Sequence, residues 1–417
     1  MRHSDEHAME SWQIGSWSGD QGCQACDKVQ WFEDDVGSTV TVRRFQLIAD
    51  VAARCQRQAP FRYCRAADVS SGPPSDRRSS FLRSSALADT PACREKPDTL
   101  PAKLAPATSH EIATRAGLNE RYIREWLGAM ATAGVVEVDP ATTRFTLPAE
   151  HAAFLTRAAA ADNVAVFAQY VGLLGGVEDD IVECFKNGGG VPYEKYPRFH
   201  EVMAEDSGQS VLSSLESYIV PLVPGLSERL IEGMRVLDVG CGRGRIMNRW
   251  AELYPASKFT GLDLSQEAIE FARAEALAKD LNNIEFGVAD VSDFDETAES
   301  EAFDFITTFD AVHDQPKPLN VLKGIFRALK SDGIYLMQDI KGSSHVHNNL
   351  DHPIGTLLYT ISCMHCMTVS LAQDGEGLGA MWGEEKTHEY LERAGFRSIE
   401  TNELDHDIQN NWYVVRK

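Results

Sequence analysis

The segment Val236-Leu237-Asp238-Val239-Gly240-Cys241-Gly242-Arg243-Gly244-Arg245 is an apolar run that ends in three alternate glycines. It reads as a buried strand turning through a glycine loop into a helix. Glycine suits such a turn because a side chain would block close approach to a ligand or force a costly positive φ. The spacing narrows the ligand. A dinucleotide fingerprint places its third glycine directly after an intervening pair, as G-x-G-x-x-G. Here Gly244 arrives one residue early and Arg245 holds the expected place, which disfavours NAD.

Outward from this loop, strand and helix patterns alternate. Strands are predicted over 235–239, 258–263, 284–288, 305–309 and 333–339, and helices over 246–253, 266–279, 319–329 and 384–394. Alternation of this kind predicts a doubly wound α/β sheet. Two further strand-like runs, 397–401 and 411–415, have no helix between them, so they are expected to pair antiparallel and complete a seven-stranded sheet.

Upstream, residues 1–107 read as a poorly ordered segment, rich in Ser, Pro and Arg over 71–85, with one amphipathic stretch at 40–58. Residues 108–150 carry helix, turn, helix, hairpin: Thr108-Ser109-His110-Glu111 offers an N-cap and a carboxylate for a helix over 111–116, Asn119 caps a second helix over 120–133, Gly117 and Gly134 are stops, and a turn at Asp139-Pro140 divides two short strands at 135–138 and 144–147. That is the order of a winged-helix domain. In its second helix Glu120, Arg121, Arg124 and Glu125 nearly cancel, which favours packing or dimerisation over DNA reading. Residues 151–233 read as a helical linker and substrate cover, and 234–417 as the main catalytic domain, with an insertion at 341–383.

Bulk properties exclude several classes. A net charge of -22 argues against a nucleic-acid or anionic-membrane binder, because phosphate affinity comes from clustered Lys and Arg. No apolar run reaches the roughly 18 residues of a membrane span, and the acidic start predicts no secretory signal, so the expected location is cytoplasmic. Nine cysteines, five of them at 23, 26, 55, 64 and 93, do not suggest a disulfide framework.

With its acidic strand end and G-x-G-x-G, the stretch from Asp238 to Gly244 resembles the first motif of the class I S-adenosylmethionine (SAM) dependent methyltransferases. The resemblance implies SAM as cofactor. It further implies that the loop with Asp238, Gly240, Gly242 and Gly244 packs along the methionine part, that Asp263 receives the ribose hydroxyls, and that Asp290 approaches the adenine amino group. Leu264, Val291 and Phe309, beside those positions, are expected to flank the cofactor. Glu120 to Leu127, Thr308 to Asp314 and Met364 to Leu371 together look like a bacterial and fungal methyltransferase family with a winged-helix domain before the catalytic one. Coverage runs from about residue 108 to the end. The helix that usually precedes the winged helix is not evident, although a homodimer through the winged-helix region remains an expectation of the resemblance.

SAM is already activated, so transfer chiefly needs an in-line nucleophile in a dry site, with a base where the nucleophile carries a tightly held proton. His313 is the candidate base, since an imidazole with a pKa of about 6.5 suits proton removal near neutrality. The alternative is a His bonded to Asp314 or backbone that orders the loop. Asp310 either orients substrate or caps the loop. The insertion holds His345, His347, His352, Cys363, His365 and Cys366, but Cys and Met inside an apolar helical run are more often core, and no metal site is expected. The insertion reads instead as a substrate lid, its glycines at 375, 377, 379 and 383 leaving Met381 and Trp382 mobile. The functional expectation is methylation of a small apolar or aromatic molecule. Its alternative is a SAM-responsive regulator, or an inactive relative, using the winged helix for DNA or partner binding.

Overall fold

The computed structural model describes residues 105–417, so the expectations for 1–104, including the 40–58 helix and the five early cysteines, lie outside the described residues. Helix α1 (Ser109–Ala116) opens on a reciprocal cap: the Thr108 hydroxyl accepts the Glu111 N–H while the Glu111 carboxylate accepts that of Thr108. Gly117, at φ 67°, ends it. Asn119 caps α2 (Glu120–Thr132) by accepting from the Arg121 N–H. Strands β1 (Glu137–Asp139) and β2 (Arg144–Thr146) close the wing antiparallel. The wing starts later than position 135 because the N–H groups of Val135 and Val136 both turn back to the Met130 carbonyl. Ala113, Ile123, Leu127, Met130 and Val136 form the small core of this winged helix.

Helices α3 (Ala149–Leu155), α4 (Ala168–Gly175), α5 (Glu178–Asn187), α6 (Phe199–Ser210) and α7 (Leu226–Glu232) follow, with a π-helical turn at Leu215–Ile219. The α/β part then runs β3 (Arg235–Val239), α8 (Arg245–Leu253), β4 (Lys258–Asp263), α9 (Gln266–Ala278), β5 (Ile284–Val288), the short α10 (Phe294–Thr297), β6 (Phe303–Phe309), α11 (Pro318–Ala328) and β7 (Leu329–Ile340). Helices α12 (Gly355–Ile361), α13 (Met367–Leu371) and α14 (Gly383–Ala394) lead to β8 (Ser398–Asn402) and β9 (Asn410–Arg416).

Seven strands lie in the order β5-β4-β3-β6-β7-β9-β8. Neighbours from β5 to β7 are parallel, and β9 runs antiparallel to both β7 and β8, so the terminal pair forms as expected. The sheet is covered on both faces. Val236, Phe305, Leu336 and Val414 pack on one side with Trp250, whereas Leu237, Ile306, Met337 and Tyr413 pack on the other with Leu322 and Leu391. Successive strand residues alternate between the two cores, as a period of two requires.

The lid expectation needs one correction. Met381 and Trp382 are not mobile side chains: they are 7% and 4% exposed, and the Trp382 indole N–H donates to Asp339 at 3.1 Å. Gly383 serves contact, since an added Cβ would lie 2.1 Å from the Ser344 nitrogen. The insertion is also docked, with Thr368 accepting from the Val191 N–H at 2.8 Å and Ser370 donating to the Gln315 carbonyl at 2.9 Å. Among the described residues no helix is long and apolar enough to cross a membrane.

Candidate cofactor cleft and inner chamber

The glycine loop is locked to the neighbouring strand before any ligand is considered. Gly240 and Cys241 both donate to the Leu262 carbonyl, at 2.8 and 3.0 Å. Two of the glycines are steric necessities: a Cβ would lie 2.5 Å from the Ala311 methyl at Gly240 and 2.5 Å from the Phe286 ring at Gly244. Gly242, at φ 52°, differs. Nothing lies within 4 Å of an added Cβ there, so this glycine leaves open space for a ligand.

Asp263, at the end of β4, accepts the Gly242 N–H on one oxygen and the Ser265 N–H on the other, both at 2.8 Å. Each oxygen keeps a lone pair for the cleft. Asp238 is buried and takes a hydrogen bond from Thr307 at 2.8 Å, and burial pushes its carboxyl up to about 7. Asp290 is exposed at the end of β5, where bonds from the side chain and backbone of Ser292 lower its pKa. Asp238, Gly240, Gly242, Gly244, Asp263, Leu264, Asp290, Val291 and Phe309 all line one cleft of about 510 Å³. Sheet order explains this convergence, because the carboxyl ends of β5, β4, β3 and β6 stand side by side and ligands gather there. The opposite wall comes from Tyr193 to Leu212.

Behind the cleft lies a second cavity of about 40 Å³, and Phe199, Met203, Asp310 and Asp314 line both. His313 lines only the inner one. Its ring bonds neither Asp314 nor backbone: Nδ1 pairs with Asp339 Oδ1 at 2.8 Å and lies 3.8 Å from Asp310. Burial alone would lower this imidazole, but Asp339 outweighs it and holds the ring well above its ordinary pKa. Asp310 sits at φ 56°, its Oδ1 buried and unpartnered, and burial pushes its carboxyl up to about 8 against the pull of His313. Tyr193 donates to Asp314, which burial raises to about 6. The donor atoms of Asp310, His313 and Asp339 lie within 4.8 Å of one another. A hydrogen bond already joins two of the three, so the group is built to share protons.

Asp339 was absent from the sequence reading, although its place at the carboxyl end of the strand after β6 was a usable signal. Tyr170 and Asp206, joined at 2.7 Å across the chamber wall, carried none, because only the packing of α4 against α6 brings them together.

Family comparisons match this architecture. A model described as a methyltransferase domain matches residues 230–395, and one described as an Rv2258c-like winged HTH domain matches 98–157. The chain carries a methyltransferase domain. Its sequence is similar to the ubiquinone biosynthesis O-methyltransferase of Neisseria meningitidis serogroup C, at 27% identity over 37% of this chain and 64% of that protein. It is also similar to the fatty-acid O-methyltransferase of Mycolicibacterium smegmatis, at 28% identity over 39% of this chain and 54% of that protein. The chain thus spans about half to just under two thirds of these relatives. Among solved structures, mitomycin 7-O-methyltransferase matches with a TM-score of 0.57 at 17% identity, covering 91% of this chain and 100% of that one. Human N-acetylserotonin methyltransferase with SAM matches with a TM-score of 0.54 at 17% identity, covering 91% and 99%. At such identities the likeness to solved structures is one of fold.

Proposed function

We propose that the protein is a SAM-dependent O-methyltransferase of a small, apolar or aromatic molecule, with the cofactor in the outer cleft and the acceptor beside it, its reacting hydroxyl reaching into the inner cavity. The observation that carries this is the common wall of Asp310, Asp314, Phe199 and Met203 between a glycine-loop cleft and a buried His–Asp pair. The residues present fit SAM: Gly242 leaves open space, Asp263 offers lone pairs to two ribose hydroxyls, and the carboxyl groups of Asp238, Asp310 and Asp314 line the same cleft. When bound, SAM supplies an activated methyl group on a cationic sulfur.

The chain's own residues then position and deprotonate. His313, held by Asp339, takes the proton of an acceptor hydroxyl once the cluster has released its own. Asp310 faces both cavities and orients that hydroxyl. The docked insertion, through Leu358, Ile361 and Ala380, excludes water from the chamber. The curated relatives named as O-methyltransferases support oxygen as the acceptor atom.

The test is mass spectrometry of cell extract incubated with the protein and methyl-labelled SAM, beside calorimetry of S-adenosylhomocysteine (SAH) binding. One labelled small-molecule product is expected. Asp263→Ala should weaken SAH by about 1.5 to 3 kcal/mol, the cost of a lost charge-assisted hydrogen bond. Unchanged affinity in that variant, or no labelled product, would sink the reading.

A further inference from the structure

Two carboxylates and one imidazole meet at Asp310, His313 and Asp339, and no Lys or Arg lines the inner cavity beside them. Asp339 is wholly buried with its Oδ2 unpartnered, and Oδ1 of Asp310 has no partner either. His313 Nδ1 lies 2.8 Å from Asp339 Oδ1 and 3.8 Å from Asp310 Oδ1. A different element points to the same place. His365, on the π-helical turn Ser362–Cys366, is 2% exposed, lines the cavity with Asp310 and His313, and leaves its Nε2 without a partner. Its ring is held by stacking on Phe199, at 3.8 Å between centroids and 11° between planes. Burial, reinforced by the charge of His313, keeps this imidazole well below its ordinary pKa, so it is neutral and one nitrogen accepts.

We infer that Asp310, His313 and Asp339 form a site for one divalent d-block cation of the zinc class, completed by a water that enters with the ion and donates to His365. Zinc holds nitrogen and oxygen at about 2.0 to 2.2 Å, and a tetrahedron of that size sets ligand atoms about 3.3 to 3.5 Å apart. The separations of 2.8 and 3.8 Å straddle this value, so shifts of about half an ångström complete the shell. Three protein ligands and one water is the count of an open zinc site, and 40 Å³ has room for that water, which needs roughly 10 to 15 Å³. An imidazole ligand favours this class over magnesium or calcium, which take oxygen. The N–H groups of Trp382 and Ile340 already hold Asp339 Oδ1, as donors behind a metal ligand do. Asp310 lines the outer cleft as well, which gives the ion its way in. Binding sends the Nδ1 proton of His313 to solvent. An imidazole with a metal on Nδ1 keeps its remaining proton on Nε2 and has no nitrogen left to accept another. The site is therefore inhibitory. That consequence rests on the role proposed above for His313, whereas the site itself does not.

The experiment strips the full chain with a chelator and titrates it by calorimetry with Zn²⁺ and, separately, with Mg²⁺. One zinc is expected whose affinity falls about tenfold or more in Asp310→Asn and in Asp339→Asn, which keep the shape and remove the charge, and about tenfold in His365→Phe, which removes the partner of the bound water. Zinc held elsewhere on the chain is indifferent to these changes, so the difference assigns the site. Wild-type protein that binds no zinc, zinc binding unchanged in the folded aspartate variants, or magnesium bound as tightly as zinc overturns the inference. Crystals of the wild type grown with one equivalent of Zn²⁺ need no variant: an anomalous-scattering peak among the three side chains supports the site, and density without one overturns it. The labelled-SAM assay separates the two readings. Loss of product on adding zinc supports inhibition, whereas zinc bound at the cluster with undiminished labelling supports the site and overturns instead the role of His313 as base.

Discussion

His313 is buried at 3% exposure between two carboxylates, and its chemistry follows from which of them keeps a proton. Asp339 accepts three N–H donors on one oxygen, from His313, from the Trp382 indole and from Ile340. Asp310 lacks such donors and is raised to about 8. Below that pH the cluster holds its protons and His313 is no base. Methyl transfer should therefore rise with pH and level off near or above 8, while SAH affinity changes little over the same range. Replacing Asp339 by Asn removes the charge that raises the imidazole, so the rising limb should move to lower pH with a lower plateau. Rate against pH from 6 to 9.5 for both proteins is the check. A limb in the same place in Asp339→Asn would take His313 out of proton transfer.

At the scale of elements, the ends of β3, β4 and β6 work as one piece. Asp238 on β3 is bonded to Thr307 on β6, while the β3 loop reaches β4 through Leu262 and Asp263. Burial raises the Asp238 carboxyl to about 7, against about 3.9 in an unfolded chain. Between these values the folded protein keeps a proton that the unfolded chain has lost. Asp238 thus contributes stability that is full below about pH 4 and is lost as pH rises through about 7. Asp238→Asn keeps an acceptor for Thr307 and cannot ionise. Its melting temperature relative to wild type should climb from pH 4 to 7 and be flat above. A constant offset across that window, read by calorimetry, would mean that Asp238 does not titrate in it.

Over the whole molecule, the described residues that line the cleft and chamber run from Phe167 to Gln409. Truncation before residue 101 should leave a folded protein whose SAH affinity stays within about twofold, because the winged helix and sheet carry their own cores. Loss of cofactor binding in the truncated chain would assign the first hundred residues a part in the site. On α2 of the winged helix Glu120 pairs with Arg124 and Arg121 with Glu125, so the charges of that exposed surface nearly cancel, and no sequence-specific DNA shift is expected at physiological salt.

The amino-acid sequence by itself determined the local and periodic features. The cap signal at positions 108–111, Gly117 and Asn119 marked the limits of α1 and the start of α2, apolar runs marked the strands that bury both faces, and the glycine loop with Asp263 marked the cleft. Each of these depends on neighbours a few residues apart, or on one motif repeated at strand ends. What joins distant segments was decided by the tertiary structure alone. Asp339 meets His313 across 26 positions, Tyr193 meets Asp314 across 121, and Val191 meets Thr368 across 177. No spacing rule links such pairs. Trp382 shows the reason most clearly: its glycine-rich surroundings look mobile in sequence, yet one hydrogen bond to a buried carboxylate and a packed face hold it in the core.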